Sequence, residues 1–223
     1  MKRSFLLEQT RWPDPYTGFE PLENPENLKW HFDAAFLTQV YRRCPEPELM
    51  VEVGTWLGNS AIAAAHYYRK YLNWHDFTLI CVDTWLGSVE HWLRDADHPT
   101  RQALHMKHGR PQLYDHFLSH VIKADLTDHI QPLPQTSMNG ARILGFFKEK
   151  FDWAPDWVYI DASHETLEVF IDMDMYYALL NSGGILCGDD WNWPSVRKAV
   201  VDFAIEKKLE IFNSKYSWGL IKP

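Results

Sequence analysis

Leu49-Met50-Val51-Glu52-Val53-Gly54-Thr55-Trp56-Leu57-Gly58-Asn59-Ser60 decides how this chain is read. The apolar run up to Gly54 has the character of a short strand buried on both faces of a parallel sheet. Gly54 permits a sharp turn and lets a ligand approach the backbone. Gly58 then opens a run of small residues over 59–71 that suits a helix packed closely on a sheet. The free N–H groups and positive end of such a helix favour a carboxylate or phosphate. The spacing is G-x-x-x-G, which is neither the dinucleotide fingerprint nor a P-loop. An ordinary strand-to-helix turn remains the competing explanation for this motif taken alone.

Working outward, the same alternation recurs. Strands are expected at 77–82, 129–133, 157–160 and 184–187, and helices at 112–124, 138–150, 165–180 and 194–207, the last with Pro194 in its first turn. Segments 209–212 and 216–221 close the chain as an antiparallel hairpin around 213–215. On the N-terminal side, a helix is expected over 28–43, stopped by Pro45 and Pro47. Residues 1–27 hold prolines and little periodicity and are read as an extended arm ahead of one domain at 28–223. Residues 84–111 form a connection too long to be ordinary, which marks a lid or an interface. Repeated strand–helix units imply an α/β fold, a doubly wound sheet in a single domain.

Ligands of such sheets bind outside the carboxyl ends of the strands. Three of the expected strands end in acid, at Asp83, at Asp161 and at Asp189-Asp190, and a fourth carries Glu52 near its end. An acid at the end of the strand after the glycine turn is placed to accept the hydroxyls of a ribose. Each acid by itself is equally a turn or helix-cap residue. Their convergence on one edge is the informative feature.

The segments 51–60, Val82-Asp83-Thr84-Trp85-Leu86-Gly87, Tyr159-Ile160-Asp161-Ala162-Ser163-His164 and 183–190 resemble class I S-adenosylmethionine-dependent methyltransferases. Among these the chain is most similar to the metal-dependent sugar O-methyltransferases of the macrocin and novobiocin type, from about residue 48 to 205. The resemblance implies a Rossmann-like seven-stranded sheet of order 3-2-1-4-5-7-6 with the last strand antiparallel. It implies S-adenosylmethionine as the cofactor, with Gly54, Gly58 and Ser60 lining the methionine moiety, Glu52 supporting it and Asp83 holding the ribose. Thr55, Asn59, Trp85 and Asp161 complete the expected cofactor-binding set, and Ser137 is placed to touch the adenine. The arm before residue 48 carries no part of this likeness.

Asp161, Asp189 and Asp190 end adjacent expected strands, so their carboxylates would repel unless a cation joined them. Oxygen-only ligands favour a hard divalent ion, Mg²⁺ before Ca²⁺ or Mn²⁺, and the resembling family places magnesium on three acids at this spacing. The expected chemistry is Mg²⁺-assisted O-methylation of a hydroxyl on a sugar or other small molecule. Asp161, or less favourably His164, takes the hydroxyl proton. His164 is equally placed to stack on the cofactor or to serve the structure alone. His91, His98, His105 and His108 lack cysteine partners or an H-E-x-x-H helix, and are expected to be solvated loop residues rather than a zinc site.

Composition narrows the alternatives. The formal net charge is −8, with Lys and Arg scattered, which disfavours a nucleic-acid partner. Three cysteines, none in a CxxC pair, fit a reducing, cytoplasmic setting. Nothing near Met1 has the pattern of a secretory leader, and no run approaches a membrane-spanning length. The 11 tryptophans include Trp12, Trp85, Trp92, Trp191 and Trp193 in expected loops. They suit loop packing first, and an aromatic-walled pocket or a homo-oligomer interface second. A metal-dependent hydrolase and a non-catalytic cofactor-binding protein are the alternative functions. The first leaves the 52–60 turn and Asp83 without a role. The intact acids argue against the second.

Overall fold

The computed structural model describes residues 1–26 and 33–223. Seven strands form one sheet: β1 (Leu49–Val53), β2 (Thr78–Asp83), β3 (Ile130–Pro134), β4 (Trp157–Ile160), β5 (Ile185–Gly188), β6 (Ile211–Asn213) and β7 (Trp218–Ile221). Their order is β3-β2-β1-β4-β5-β7-β6, as the resemblance implies. The first five are mutually parallel where they pair, and β7 runs antiparallel to both β5 and β6. The fold is thus the Rossmann-like doubly wound sheet expected, in one domain.

Helices cover both faces: α1 (Arg3–Thr10), α2 (Ala34–Arg43), α3 (Asn59–His66), α4 (Val89–Leu93), α5 (Pro99–Gln102), α6 (Leu113–Lys123), α7 (Ser137–Phe151), α8 (Thr166–Leu179) and α9 (Pro194–Lys207). The strands alternate strictly between two cores, as a period of two requires. Met50, Leu79, Cys81, Tyr159 and Cys187 face a core built with α2, α3 and α6. Val51, Val53, Ile80, Val158 and Leu186 face one built with α7, α8 and α9. Glu52 is the exception in its strand, a carboxyl 1% exposed on the face otherwise given to Met50.

The arm expected to be extended over 1–27 is not extended throughout. Arg3–Thr10 is helical, and Leu6 is fully buried in the second core. Arg3, itself buried, donates to Gln131 Oε1 (2.8 Å) and pairs with Asp14 (2.7 Å), so the helix is riveted to the β3 edge. The expected helix over 28–43 is observed from Ala34, with Asp33 accepting from Phe36 N as its cap; residues 28–32 lie outside the described residues. The helix expected over 59–71 gives way after His66 to a wide π turn, Tyr67–Tyr71. The long connection at 84–111 is not structureless: it contains α4, α5 and a small bridge between Lys107 and Arg110. Strand ends elsewhere differ from expectation by a residue or two. No described helix is long and apolar enough to cross a membrane.

Candidate active site

The carboxyl ends of β2, β1, β4 and β5 are laced together like stairs. Gly54 N donates to Val82 O (2.8 Å), Asp161 N to Val53 O (2.8 Å) and Asp189 N to Ile160 O (3.1 Å). This staircase carries Asp83, the glycine turn, Asp161 and Asp189 to one edge. Gly54 has φ +85°, and a Cβ there would stand 2.0 Å from the Asp161 carbonyl oxygen. Glycine is therefore demanded by the neighbouring strand's backbone as well as by the turn. Gly58, at φ +90°, precedes α3, and a Cβ on it would press into the Phe117 ring of α6 at 2.9 Å.

Inside the turn, Ser60 Oγ donates to Glu52 Oε1 (2.8 Å). Desolvation is the main cause that pushes the Glu52 carboxyl up to about 8. Among the described residues its neighbours are the Ser60 and Thr55 hydroxyls and the acid Asp83 rather than a cation, so a positively charged ligand group would find a prepared partner here. Thr55 is buried beside it, and Asn59 occupies the first position of α3. Close by in the same core, Tyr41 Oη and Tyr159 Oη are buried without hydrogen-bond partners.

Asp83 ends β2 as expected and organises both flanking loops. Its Oδ2 accepts from Trp56 N (2.8 Å) and its Oδ1 from Trp85 N (2.7 Å). The backbone N–H groups of Thr55 and Thr84 also favour its ionised form, against the burial that raises its pKa. Trp56 and Trp85 both take left-handed φ to make these bonds. The Trp85 side chain is buried against Tyr114 and Phe117, with its indole N–H given to Trp56 O (2.8 Å). Only the Trp85 backbone faces the edge. Ser137 starts α7; its carbonyl accepts from Tyr176 Oη (2.9 Å), and its hydroxyl bonds the buried Asp172 of α8.

The acids Asp161, Asp189 and Asp190 come close enough to perturb one another. Burial first, then Asp189 and Asp190, hold the Asp161 carboxyl well above the ordinary carboxylate range. Burial likewise pushes Asp189 up to about 6, against the stabilising bond from Ser217 Oγ (2.9 Å). Asp190, at φ +60°, pairs with His164: Nε2 lies 2.8 Å from Oδ2. That pairing is the largest cause raising His164 to about 9. His164 therefore carries a proton at neutral pH and does not stand ready to accept one. Among the described residues no group of three or more His, Cys, Asp or Glu side chains is arranged to hold a metal ion. The donor chemistry suits a hard cation, and in this arrangement Asp190 pairs with His164 and Asp189 with Ser217.

Ser217, Ser214 and Glu90 escaped the sequence reading, and Trp193 entered it only as one of several loop tryptophans. Ser217, wholly buried in the hairpin turn, fastens Asp189, while Ser214 Oγ donates to Asp33 Oδ2 (2.6 Å). Trp193 stacks on His164 (centroids 4.4 Å, 20°) and leaves its own side chain 43% exposed at the mouth. Glu90, in α4, stands 3.6 Å from the other ring nitrogen of His164. Three of the four loop histidines are partnered rather than merely solvated: His91 accepts from Ser88 N (3.1 Å) and stacks on Trp56, His98 accepts from Thr100 N, and His105 meets Glu26 (2.8 Å), while His108 is exposed as expected. A serine, tryptophan or glutamate in a loop carries no periodicity that would single it out.

No curated protein sequence matches the chain. Among solved structures, an O-methyltransferase from Bacillus cereus in complex with SAH is similar at TM-score 0.57 and 14% identity, over 87% of this chain and 84% of that one. The O-methyltransferase NovP matches at 0.55 and 17% identity, over 82% of this chain and 75% of that one. TomG from Streptomyces achromogenes, in complex with SAM, matches at 0.54 and 14% identity over 97% and 99%. At these identities the likeness is one of fold. The family described as a methyltransferase domain matches residues 51–191, the span that runs from the glycine turn to the acids of β5. By that match, which covers well over half its length, the chain belongs to the methyltransferase-domain family.

Proposed function

We propose that this enzyme transfers a methyl group from S-adenosylmethionine to a hydroxyl oxygen of a small molecule, a sugar or a comparable acceptor. The observation that carries the reading is the glycine turn set between the buried Glu52, which no cation among the described residues pairs, and the backbone-anchored Asp83. Two of the similar folds bear S-adenosylhomocysteine or S-adenosylmethionine by their own descriptions, which supports it. When bound, the cofactor supplies an electrophilic methyl on a sulfonium.

The residues would divide the work as follows. Glu52 and Ser60 hold the methionine end, the open first turn of α3 takes its carboxylate, and Asp83 takes the ribose hydroxyls. Ser137 holds the adenine by its backbone or by the spare lone pair of its hydroxyl. Asp161 removes the acceptor's proton as the oxygen attacks. Its raised pKa makes it a stronger base than an ordinary aspartate, and a cationic donor alongside would favour its ionised form. Asp190 and Trp193 hold His164, whose charge offsets the cluster of acids. The exposed face of Trp193 suits a flat, apolar-faced acceptor, which would be pressed against it while its hydroxyl reaches Asp161. Mg²⁺ would join Asp161, Asp189 and Asp190 only if Asp190 first released His164. The hydrolase alternative gains nothing from the family match.

Calorimetry with S-adenosylmethionine, S-adenosylhomocysteine and NAD, followed by mass spectrometry of methyl transfer to hydroxylated acceptors, tests the reading. The two adenosyl compounds should bind and NAD should not. Asp161→Asn should keep that affinity within about twofold and lower turnover by roughly 10²–10⁴. Absence of adenosyl binding, or full turnover by D161N, would sink it.

A further inference from the structure

Glu90 lies in the connection at 84–111, three residues after Gly87, and it is the residue of that connection that reaches His164. His164 is held on three sides. Asp190 takes Nε2 at 2.8 Å, Trp193 covers one ring face, and Nδ1 points at Glu90 Oε1 across 3.6 Å. Nδ1 is buried and has no hydrogen-bond partner. A buried polar atom in that state costs free energy that a small movement of Glu90 would recover. The pair is longer than a hydrogen bond and lies within ion-pair range.

The element that carries Glu90 is built to make such a movement as a unit. α4 is a single short turn whose start is fixed by Ser88 and His91, each satisfying the other. Its His91 stacks on Trp56 of the glycine turn (4.4 Å, 18°), which makes that contact a pivot beside the cofactor turn. Its outer side chains, Val89 and Leu93, are 70% and 80% exposed, so little apolar packing holds it down. Gly87, at φ +78°, lies at its root against Leu104. An element with few buried contacts opens locally at low cost unless specific bonds restrain it.

We propose that Glu90 is a positioning residue: by bonding His164 Nδ1 it latches α4 across the mouth of the site and fixes the imidazole between two carboxylates. The latch rests on the methyl-transfer reading for its purpose, but not for its existence. Asp161 acts on the same imidazole from the end of β4, while Asp189 is held by Ser217. With the latch made, Trp193 and Asp190 are both held in register with Asp161, and the acceptor's access is confined to the side away from α4.

Amide hydrogen exchange by mass spectrometry on the full-length, ligand-free protein tests this. Glu90→Ala should speed exchange across 84–94 by about tenfold, the loss expected for a hydrogen bond to a charged partner at a partly exposed site. His164→Ala should give the same increase in the same peptide, although it sits in another element. The double variant should match either single one. Glu90→Gln, whose amide oxygen accepts the same proton, should stay within about twofold of the wild type. Unchanged exchange in E90A, effects that multiply in the double variant, or E90Q behaving like E90A would each overturn the latch. Calorimetry with S-adenosylhomocysteine on the same proteins reports separately on the function: binding without latch behaviour removes only the latch, and latch behaviour without binding removes only the function.

Discussion

Gly54 and Glu52 show how much of the site is decided by single residues. Glycine at 54 looks from the sequence like an opening for a ligand, but the nearest atom to its absent side chain is the Asp161 carbonyl oxygen. The turn and the acid-bearing edge are thus one piece of backbone, and a methyl group at 54 would separate β1 from β4 at the proposed site. Gly54→Ala combines left-handed strain of about 1–2 kcal/mol with a backbone clash that ordinary overpacking prices at roughly 1–3 kcal/mol. It should destabilise the protein by about 3 kcal/mol and abolish binding of S-adenosylhomocysteine. Thermal unfolding and calorimetry check the two parts, and a stable G54A that still binds would show that the staircase has more slack than its bonds suggest. Glu52 was legible as an acid near a strand end; its lack of a cationic partner among the described residues was not, because that is a property of neighbours brought in by α2, β4 and β5.

At the scale of elements, the turn at 188–193 does two opposed things. Its acids face inward while its indole faces the mouth, and the left-handed Asp190 swings between these directions. Sequence spacing predicted three acids around one ion, and the spacing does bring them to one edge. What spacing cannot convey is competition. His164 and Ser217 arrive from a different loop and the hairpin, and each claims one acid first. If that competition is the reason no metal focus forms, removing His164 should free Asp190. His164→Ala should then bind Mg²⁺ about tenfold more tightly than the wild type, read by isothermal titration with MgCl₂ alone. Equal affinities would mean that the divergence of the three carboxylates has another cause. The strands were legible because fully buried parallel strands read as uninterrupted apolar runs. α1 was not, since an eight-residue helix with a weak apolar stripe and prolines after it resembles an arm; only docking of Leu6 and Arg3 makes it a helix.

In the molecule as a whole the N-terminal arm and the connection at 84–111 meet at a cluster of histidines. The arm returns over α6 and is held there by its backbone: Leu22 N donates to Ser119 Oγ (2.9 Å), Glu26 N to His116 Nδ1 (2.8 Å), and Lys123 Nζ to Glu23 O (2.6 Å). The loop joins through His105, which stacks on His116 at 4.3 Å and meets the Glu26 carboxylate. His116 must be unprotonated at Nδ1 to accept from the arm, and burial, then His105 and His120, depress its pKa to about 4. An unfolded histidine titrates near 6.5. Between those values the unfolded chain binds the extra proton, so stability falls as pH drops. The contribution is complete above about 6.5 and gone below about 4; Glu26 at His105 opposes it only in part. Between pH 7 and 5 the protein should lose on the order of 1 kcal/mol through this residue. His116→Gln, which keeps an acceptor for Glu26 N but cannot take a proton in this range, should flatten that part of the profile of denaturant midpoint against pH. A wild-type and H116Q pair whose midpoints fall in parallel would show that the arm is held by the other bonds and that acid acts elsewhere.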